Sequence, residues 1–235
     1  YRLVGSKMWI TNSPIADVFI VWAKDDEGAI RGFILDRDME GLSTPAIEGK
    51  FSLRASSTGE IVMDNVFVPE ENILPGASGL SGPFGCLNRA RYGISWGSMG
   101  AAEFCWHSAR NYVLERKQFG RPIVEFQGVQ IKLAEMQIKC EGARLLIHRA
   151  ASNAQDGMPS ILESSVAKCY ANEISREVTG MAVQLMGGYG YSKEYPMERG
   201  LRDSWGWGIA GGAIDIQKVN IASAMVGRRF NQRAN

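Results

Sequence analysis

The pattern of apolar and polar positions changes character about a third of the way along the chain. Up to about residue 75, short runs rich in β-branched and aromatic residues alternate with Gly, Pro and Asp clusters. Val18–Trp22, Gly32–Leu35, Ile61–Met63 and Val66–Val68 are such runs, and Asp25-Asp26-Glu27-Gly28 is such a turn. Turn signals about ten residues apart predict an antiparallel sandwich or partial barrel rather than βαβ units. Beyond about residue 82, apolar positions recur at three and four, as at Ile131, Ala134 and Ile138, then Ala143 and Leu146. This spacing predicts helices over Cys86–Glu115, Phe126–Gln155 and Ile161–Met186, and a last one from Gly212 to Arg228. Four helices with short connections predict an antiparallel bundle. The fold class expected is α+β: a partial β-barrel or sandwich over residues 1–78, then an antiparallel four-helix bundle over 79–235. The Gly/Ser-rich stretch Gly76–Gly85 is the natural joint.

Composition narrows the function classes. The 235 residues are 45% hydrophobic and 22% charged, enough for a substantial core. Net charge is +1, and basic residues are interleaved with acids, as in Glu115-Arg116-Lys117, which argues against nucleic acid as a partner. No apolar run approaches the roughly 18 residues of a membrane span, and the start is not signal-like. A soluble protein is expected. Cys86, Cys105, Cys140 and Cys169 form no C-x-x-C pair and suit reduced, mostly buried thiols. The opening Tyr1-Arg2-Leu3-Val4-Gly5 has the character of mid-strand, so a preceding part is expected to be missing. His107 and His148 lack an adjacent nucleophile or metal-ligand spacing, and no metal site is expected.

Several motifs occur in order: Trp9-Ile10-Thr11-Asn12-Ser13, Met63-Asp64-Asn65-Val66-Phe67-Val68-Pro69, Arg116-Lys117-Gln118-Phe119-Gly120-Arg121-Pro122, Phe126-Gln127, Gln184-Leu185-Met186-Gly187-Gly188-Tyr189-Gly190 and Glu194-Tyr195-Pro196-Met197-Glu198-Arg199. The ordered set resembles the middle β domain and C-terminal helical domain of the acyl-CoA dehydrogenase family, without its N-terminal helical domain. Phe51-Ser52-Leu53-Arg54-Ala55-Ser56 and the run Gly82–Gly93 are similar to glutaryl-CoA dehydrogenase, whereas the chain beyond about residue 125 is closer to short-chain and general acyl-CoA dehydrogenases.

The resemblance implies FAD as cofactor, with hydride passing from the β carbon of an acyl-CoA to flavin N5. Trp9 would supply a flat apolar wall, with Thr11 and Ser13 as hydroxyl donors on a strand; an ordinary half-buried strand would carry the same residues. Arg116 resembles the family's arginine that reaches the FAD of a neighbouring subunit, and its planar fork suits a pyrophosphate; Gln127 resembles its companion. Gln184, Leu185, Met186, Gly187 and Gly188 resemble the segment that contacts the adenosine end of FAD across a subunit interface, although a helix C-cap also accounts for the glycines. Phe84, Leu87, Asn88 and Arg91 fall where the family contacts acyl-CoA. A homotetramer, electron-transferring flavoprotein as electron acceptor, and a bacterial cytoplasm or mitochondrial matrix are implied with them.

One expected group is missing. Oxidising an acyl thioester at its α and β carbons requires a carboxylate near the α carbon, its pKa raised by desolvation. The family's Tyr-Glu-Gly-Thr motif aligns with Ala210-Gly211-Gly212-Ala213, so the base position is Gly211. The alternative base position of the isovaleryl- and long-chain-type enzymes corresponds to Ala90, which also lacks a carboxylate. Asp215 is the nearest acid in sequence, but a carboxylate in a helix's first turn is already explained by the helix dipole. Trp205 and Trp207, set among glycines in the apparent loop Arg202–Ala213, would anchor a core or shape a pocket. The leading expectation is an FAD-dependent oxidoreductase acting on a short-chain or dicarboxylic, glutaryl-CoA-like substrate. The alternatives are a base-less, redox-neutral acyl-CoA enzyme, since Ala210-Gly211-Gly212 resembles the loop of 3-sulfinopropionyl-CoA desulfinase, or a non-catalytic flavin or acyl-CoA binder.

Overall fold

Alternating burial along the first third of the chain produces six strands: β1 (Arg2–Thr11), β2 (Val18–Lys24), β3 (Ile30–Asp36), β4 (Leu42–Ser43), β5 (Thr58–Phe67) and β6 (Ile73–Ser78). The computed structural model describes residues 1–228 and residue 230. It divides into two units, Tyr1–Cys86 and Leu87–Asn235. In the first, antiparallel pairing gives two three-stranded sheets, ordered β1-β5-β4 and β2-β3-β6, with no closed barrel among the described residues. Leu3, Ile61, Met63 and Val66 from one sheet meet Phe19, Val21, Phe33 and Leu35 from the other in a single core. Full burial of a side chain such as Phe33 contributes about 1.5–3 kcal/mol. The β2–β3 turn forms where the Asp/Gly cluster predicts it: Asp25 Oδ1 accepts from the Ala29 N–H at 2.7 Å, and Arg31 Nε reaches Asp25 Oδ2 at 2.7 Å.

Ile61–Met63 and Val66–Val68, expected as separate strands, are largely one continuous strand, β5, which ends at Phe67. Ser13 is not on a strand; it lies in the turn after β1, where its buried hydroxyl donates to the Ile10 carbonyl at 3.2 Å.

The second unit contains most of α1 (Ser81–Glu115), a short hairpin of β7 (Lys117–Gln118) and β8 (Arg121–Pro122), then α2 (Gln127–Ser152), α3 (Ile161–Met186), α4 (Gly188–Tyr191), α5 (Met197–Ile209) and α6 (Ile214–Met225). α1 begins five residues before the Cys86 expected, because Gly82 and Pro83 fall in its first turn, where a missing N–H costs nothing. α3 starts in a capping box, with Ser160 Oγ accepting from the Glu163 N–H at 3.2 Å, and ends at Gly187 as the spacing predicts. Small residues dominate its buried positions, including Ala167, Ala171, Ser175, Thr179 and Ala182, so α2, α5 and α6 all pack against it. α1 joins the same core through Met99, Ala102, Cys105 and Ala109.

The expected four-helix bundle gains α5 and the single-turn α4. Residues 202–209, read as loop because of their glycines, belong to α5. Two things override the low propensity. Arg202 pairs with Glu198 one turn earlier at 2.7 Å, and Gly208 lets the Arg176 guanidinium lie against the helix, where a Cβ would meet Arg176 Nη2 at 2.0 Å. Trp205 carries that guanidinium on its ring face, 4.4 Å from the centroid. The true loop is only Ala210–Ala213.

Candidate functional site

In the first unit, β1 breaks register against β5 between Lys7 and Ile10, and Trp9 sits in that irregularity with φ 63°. A left-handed non-glycine residue costs about 1–2 kcal/mol, and bulges of this kind re-aim side chains. Here the indole is 63% exposed. Thr11 is also exposed at the strand's end, whereas Ser13 is turned inward as described. The motif Phe51–Ser56 forms part of a loop that Lys50 gathers in, donating to the Leu53 carbonyl at 2.9 Å, the Ser56 carbonyl at 2.5 Å and Thr58 Oγ1 at 2.7 Å. Lys50, Arg54 and Thr58 line a recess of about 540 Å³ there.

In the second unit, the end of α1 and the end of α3 meet around a cleft of about 550 Å³. Arg116, Leu185, Met186, Gly187 and Gly188, singled out separately in the sequence, all line it. Gln127 and Gln184 are exposed and do not. Gly187 also caps α3, its N–H donating to the Val183 carbonyl at 3.0 Å. Tyr112, Tyr189 and Tyr195 pack edge to face or tilted, with centroids 5.9–6.1 Å apart, and the first two form part of the cleft wall. Glu194 lines the cleft too, so a guanidinium-bearing and a carboxylate-bearing residue share it with two glycines.

The residues expected near substrate lie along α1. Phe84 and Arg89 are exposed, Leu87 is half-buried, and Asn88 donates to the Pro159 carbonyl at 3.1 Å while its Oδ1 is buried without a partner. Arg91 is only 7% exposed, and its Nε donates to the Gly211 carbonyl at 3.3 Å. Burial lowers the Arg91 pKa from its ordinary value. The structure thus brings together Arg91 and Gly211, 120 residues apart. Ala90 faces solvent on the same helix.

Beneath the Ala210–Ala213 loop lies a residue the sequence reading missed. Lys168 of α3 is fully buried, and its ammonium donates to the carbonyls of both Ala210 and Gly212, the latter at 2.6 Å. Gln217 of α6 donates a third bond from the same side, Nε2 to the Gly212 carbonyl at 3.0 Å, and is itself held by the Ser165 hydroxyl at 3.1 Å. Burial pushes the Lys168 pKa down to about 8, with the Arg91 charge adding to the effect. A lone Lys within the small-residue stripe Ser164, Ala167, Ala171, Ser175 was the available signal. Gly211 and Gly212 have φ 64° and 96°, which non-glycine residues adopt only with strain. Asp215 is exposed in the first turn of α6.

The chemistry these groups offer is hydrogen-bond donation without a carboxylate. A Cβ built on Gly211 would lie 2.8 Å from Ile94 Cδ1 and 3.6 Å from Lys168 Nζ. The buried thiols stay protonated at neutral pH: Cys105 is pushed up to about 12, and Cys140 and Cys169 to about 11, chiefly by burial.

Profiles described as the middle domain and the C-terminal domain of acyl-CoA dehydrogenase match residues 1–66 and 78–226. A short-chain-specific acyl-CoA dehydrogenase of Clostridium acetobutylicum is 40% identical over 228 residues, covering 94% of this chain and 60% of that protein. The mitochondrial short/branched-chain-specific acyl-CoA dehydrogenase of Bos taurus is 40% identical over 230 residues, covering 96% and 53%. This chain therefore spans somewhat over half the length of those relatives. The crystal structure of glutaryl-CoA dehydrogenase from Mycobacterium smegmatis matches with TM-score 0.94 at 37% identity, covering 98% of this chain and 59% of that one. Butyryl-CoA dehydrogenase from Megasphaera elsdenii matches with TM-score 0.89 at 37% identity, covering 96% and 60%.

Proposed function

The chain belongs to the acyl-CoA dehydrogenase family, and on that premise we propose that it forms the larger part of an FAD-dependent oxidoreductase acting on a short-chain or dicarboxylic acyl-CoA. The observation that carries this reading is the cleft where Arg116 and the Leu185–Gly188 backbone converge. A guanidinium with adjacent glycine backbone fits a phosphate-bearing cofactor, because Arg donates in a planar fork and glycine lets the backbone approach closely. Arg116 would hold the pyrophosphate and Leu185–Gly188 the adenosine end of a neighbouring subunit's FAD, while Trp9 and Thr11 would lie against the ring of this chain's own. When bound, flavin supplies the acceptor for the hydride that leaves the β carbon.

This chain's own residues would orient the acyl thioester. Arg91 and Lys168 hold the carbonyls of the Ala210–Gly212 loop, which leaves the Gly211 N–H to donate to the thioester oxygen and lower the energy of a developing enolate. On this reading the active form is a homotetramer, and its electrons pass to an electron-transferring flavoprotein.

A second reading is favoured by one observation: neither Gly211 nor Ala90 offers a carboxylate to remove the α proton. Cleavage of the C–S bond of a sulfinated acyl-CoA, in which the carbon keeps the electron pair and takes a proton while the released sulfur dioxide adds water to become sulfite, needs no flavin reduction and no base to remove an α proton. Anaerobic addition of glutaryl-CoA or butyryl-CoA to the FAD-loaded protein separates the two. Rapid loss of flavin absorbance supports dehydrogenation and sinks the base-less reading; bound acyl-CoA with unchanged absorbance does the reverse.

A further inference from the structure

Lys168 occupies a place where a charge is costly. Its side chain is fully buried, and the charged or titratable groups acting on it are Arg91 of α1, a like charge, and Cys169 on its own helix. No carboxylate is among them. An apolar side chain of the same length would fill the volume without desolvating an ammonium, and replacing buried charges in this way is often neutral or stabilising. What the ammonium adds is two hydrogen bonds, one to the carbonyl before Gly211 and one to the carbonyl after it.

Those bonds dictate where the N–H groups point. In a trans peptide the C=O and the next residue's N–H project in opposite directions. With the Ala210 carbonyl turned toward Lys168 and the Gly211 carbonyl toward Arg91, the Gly211 N–H faces away from Lys168 and the Gly212 N–H away from Arg91. Neither finds an acceptor among the described residues. Two consecutive glycines give the loop more conformational freedom than any other pair. Gln217 restrains only its far end, through Gly212, whereas Lys168 spans Gly211 on both sides.

Resting on the reading that an acyl thioester binds at this loop, we infer that Lys168 is the positioning residue that aims the Gly211 N–H at the thioester carbonyl. It touches no reacting atom and acts through the Ala210–Gly211 peptide, with the Gly212 carbonyl as a second anchor of the loop. Deprotonation weakens its hold, since charge-assisted hydrogen bonds are about twice as strong as neutral ones. With its pKa pushed down to about 8, the aim is firm at neutral pH and loosens as pH rises through that value.

The test is isotope-edited infrared spectroscopy of butyryl-CoA, labelled with ¹³C at its thioester carbonyl and bound to the FAD-loaded protein. In wild type the bound carbonyl band lies below that of free butyryl-CoA, and the displacement shrinks as pH rises through about 8. In Lys168→Met the displacement is at most half as large and independent of pH, and butyryl-CoA affinity falls about tenfold, the loss of one typical hydrogen bond or slightly more. Lys218→Met, which removes an exposed lysine paired with Glu173 at 2.7 Å, leaves band and affinity unchanged. A Lys168→Met protein with the wild-type band, affinity and pH profile overturns the positioning role alone. Should that variant not fold, a wild-type displacement constant between pH 7 and 9.5 overturns it equally. A wild type that binds neither FAD nor butyryl-CoA overturns the flavoenzyme reading and this inference together.

Discussion

The Lys168 ammonium donates a 2.6 Å hydrogen bond to the Gly212 carbonyl from a side chain with no exposed surface. An ammonium held there is a liability to the fold. Its pKa falls from the ordinary 10.5 to about 8, so between those values the unfolded chain binds a proton that the folded chain has released. Stability therefore rises with pH across that window, by at most about 1.4 kcal/mol per pH unit. Cys169 works in the opposite direction: with its thiol pushed from 9.0 to about 11, stability falls as pH rises between those values. Cys105 and Cys140 act in the same sense as Cys169, and comparing wild type with Lys168→Met removes most of the thiol contribution. Urea unfolding at pH 7.5 and pH 10 should show wild type gaining on the variant at the higher pH, and a constant difference would contradict the lowered pKa.

Arg116 lines the same cleft as Gly187 and Gly188. Arg116→Ala removes charge-assisted hydrogen bonds worth about 1.5–3 kcal/mol, so FAD affinity should fall between roughly 10-fold and 150-fold. Arg116→Lys should recover only part of it, since an ammonium lacks the planar fork. Fluorescence titration of apoprotein with FAD measures both. Equal affinity in wild type and Arg116→Ala would remove the cleft from the cofactor's path.

The Arg176 guanidinium sits 4.4 Å from the Trp205 ring centroid because Gly208 has no side chain. Gly208→Ala must displace Arg176 and so lose a stacking contact worth about 0.5–1 kcal/mol. Alanine's gain over glycine in a helix interior, about 1 kcal/mol, nearly offsets that loss in thermal unfolding, so the readout is tryptophan emission, which should change. Unchanged emission would mean that the guanidinium does not lie on Trp205.

How much of this was legible in the sequence depended on where the signal lay. Alternating runs around Val18–Trp22 and Gly32–Leu35 disclosed strands β2 and β3, and Ser160 with Glu163 disclosed the start of α3, because both signals are local. Helix α5 was hidden, since Gly206 and Gly208 are poor helix formers whose use here is a close approach by Arg176, a contact visible only in three dimensions. The family motifs pointed to Arg116 and Leu185–Gly188 as separate stretches, and their meeting in one cleft required the fold. The assignment of Gly211 to the family's base position rests on alignment of motifs alone. Lys168 was signalled only by its place in the small-residue stripe of α3, since a lysine on a helix is ordinarily solvated and the loop carbonyls it holds lie 42 and 44 residues away.

On the second reading, this chain holds flavin and acyl thioester while Gly211, the position aligned with the family's base, supplies none. Gly211→Glu restores a carboxylate at some cost: φ 64° is strained for glutamate by about 1 kcal/mol, and Ile94 must yield at its Cδ1, 2.8 Å from the new Cβ. Gly211→Ala carries the same strain without the base. The most direct measurement is the anaerobic rate of flavin bleaching by butyryl-CoA in wild type, Gly211→Ala and Gly211→Glu, each shown to bind FAD and substrate. A positioned general base contributes about 10²–10⁴-fold, so the glutamate variant should exceed both others by that order. Equal rates in all three would contradict the claim that Gly211 is where the missing base belongs.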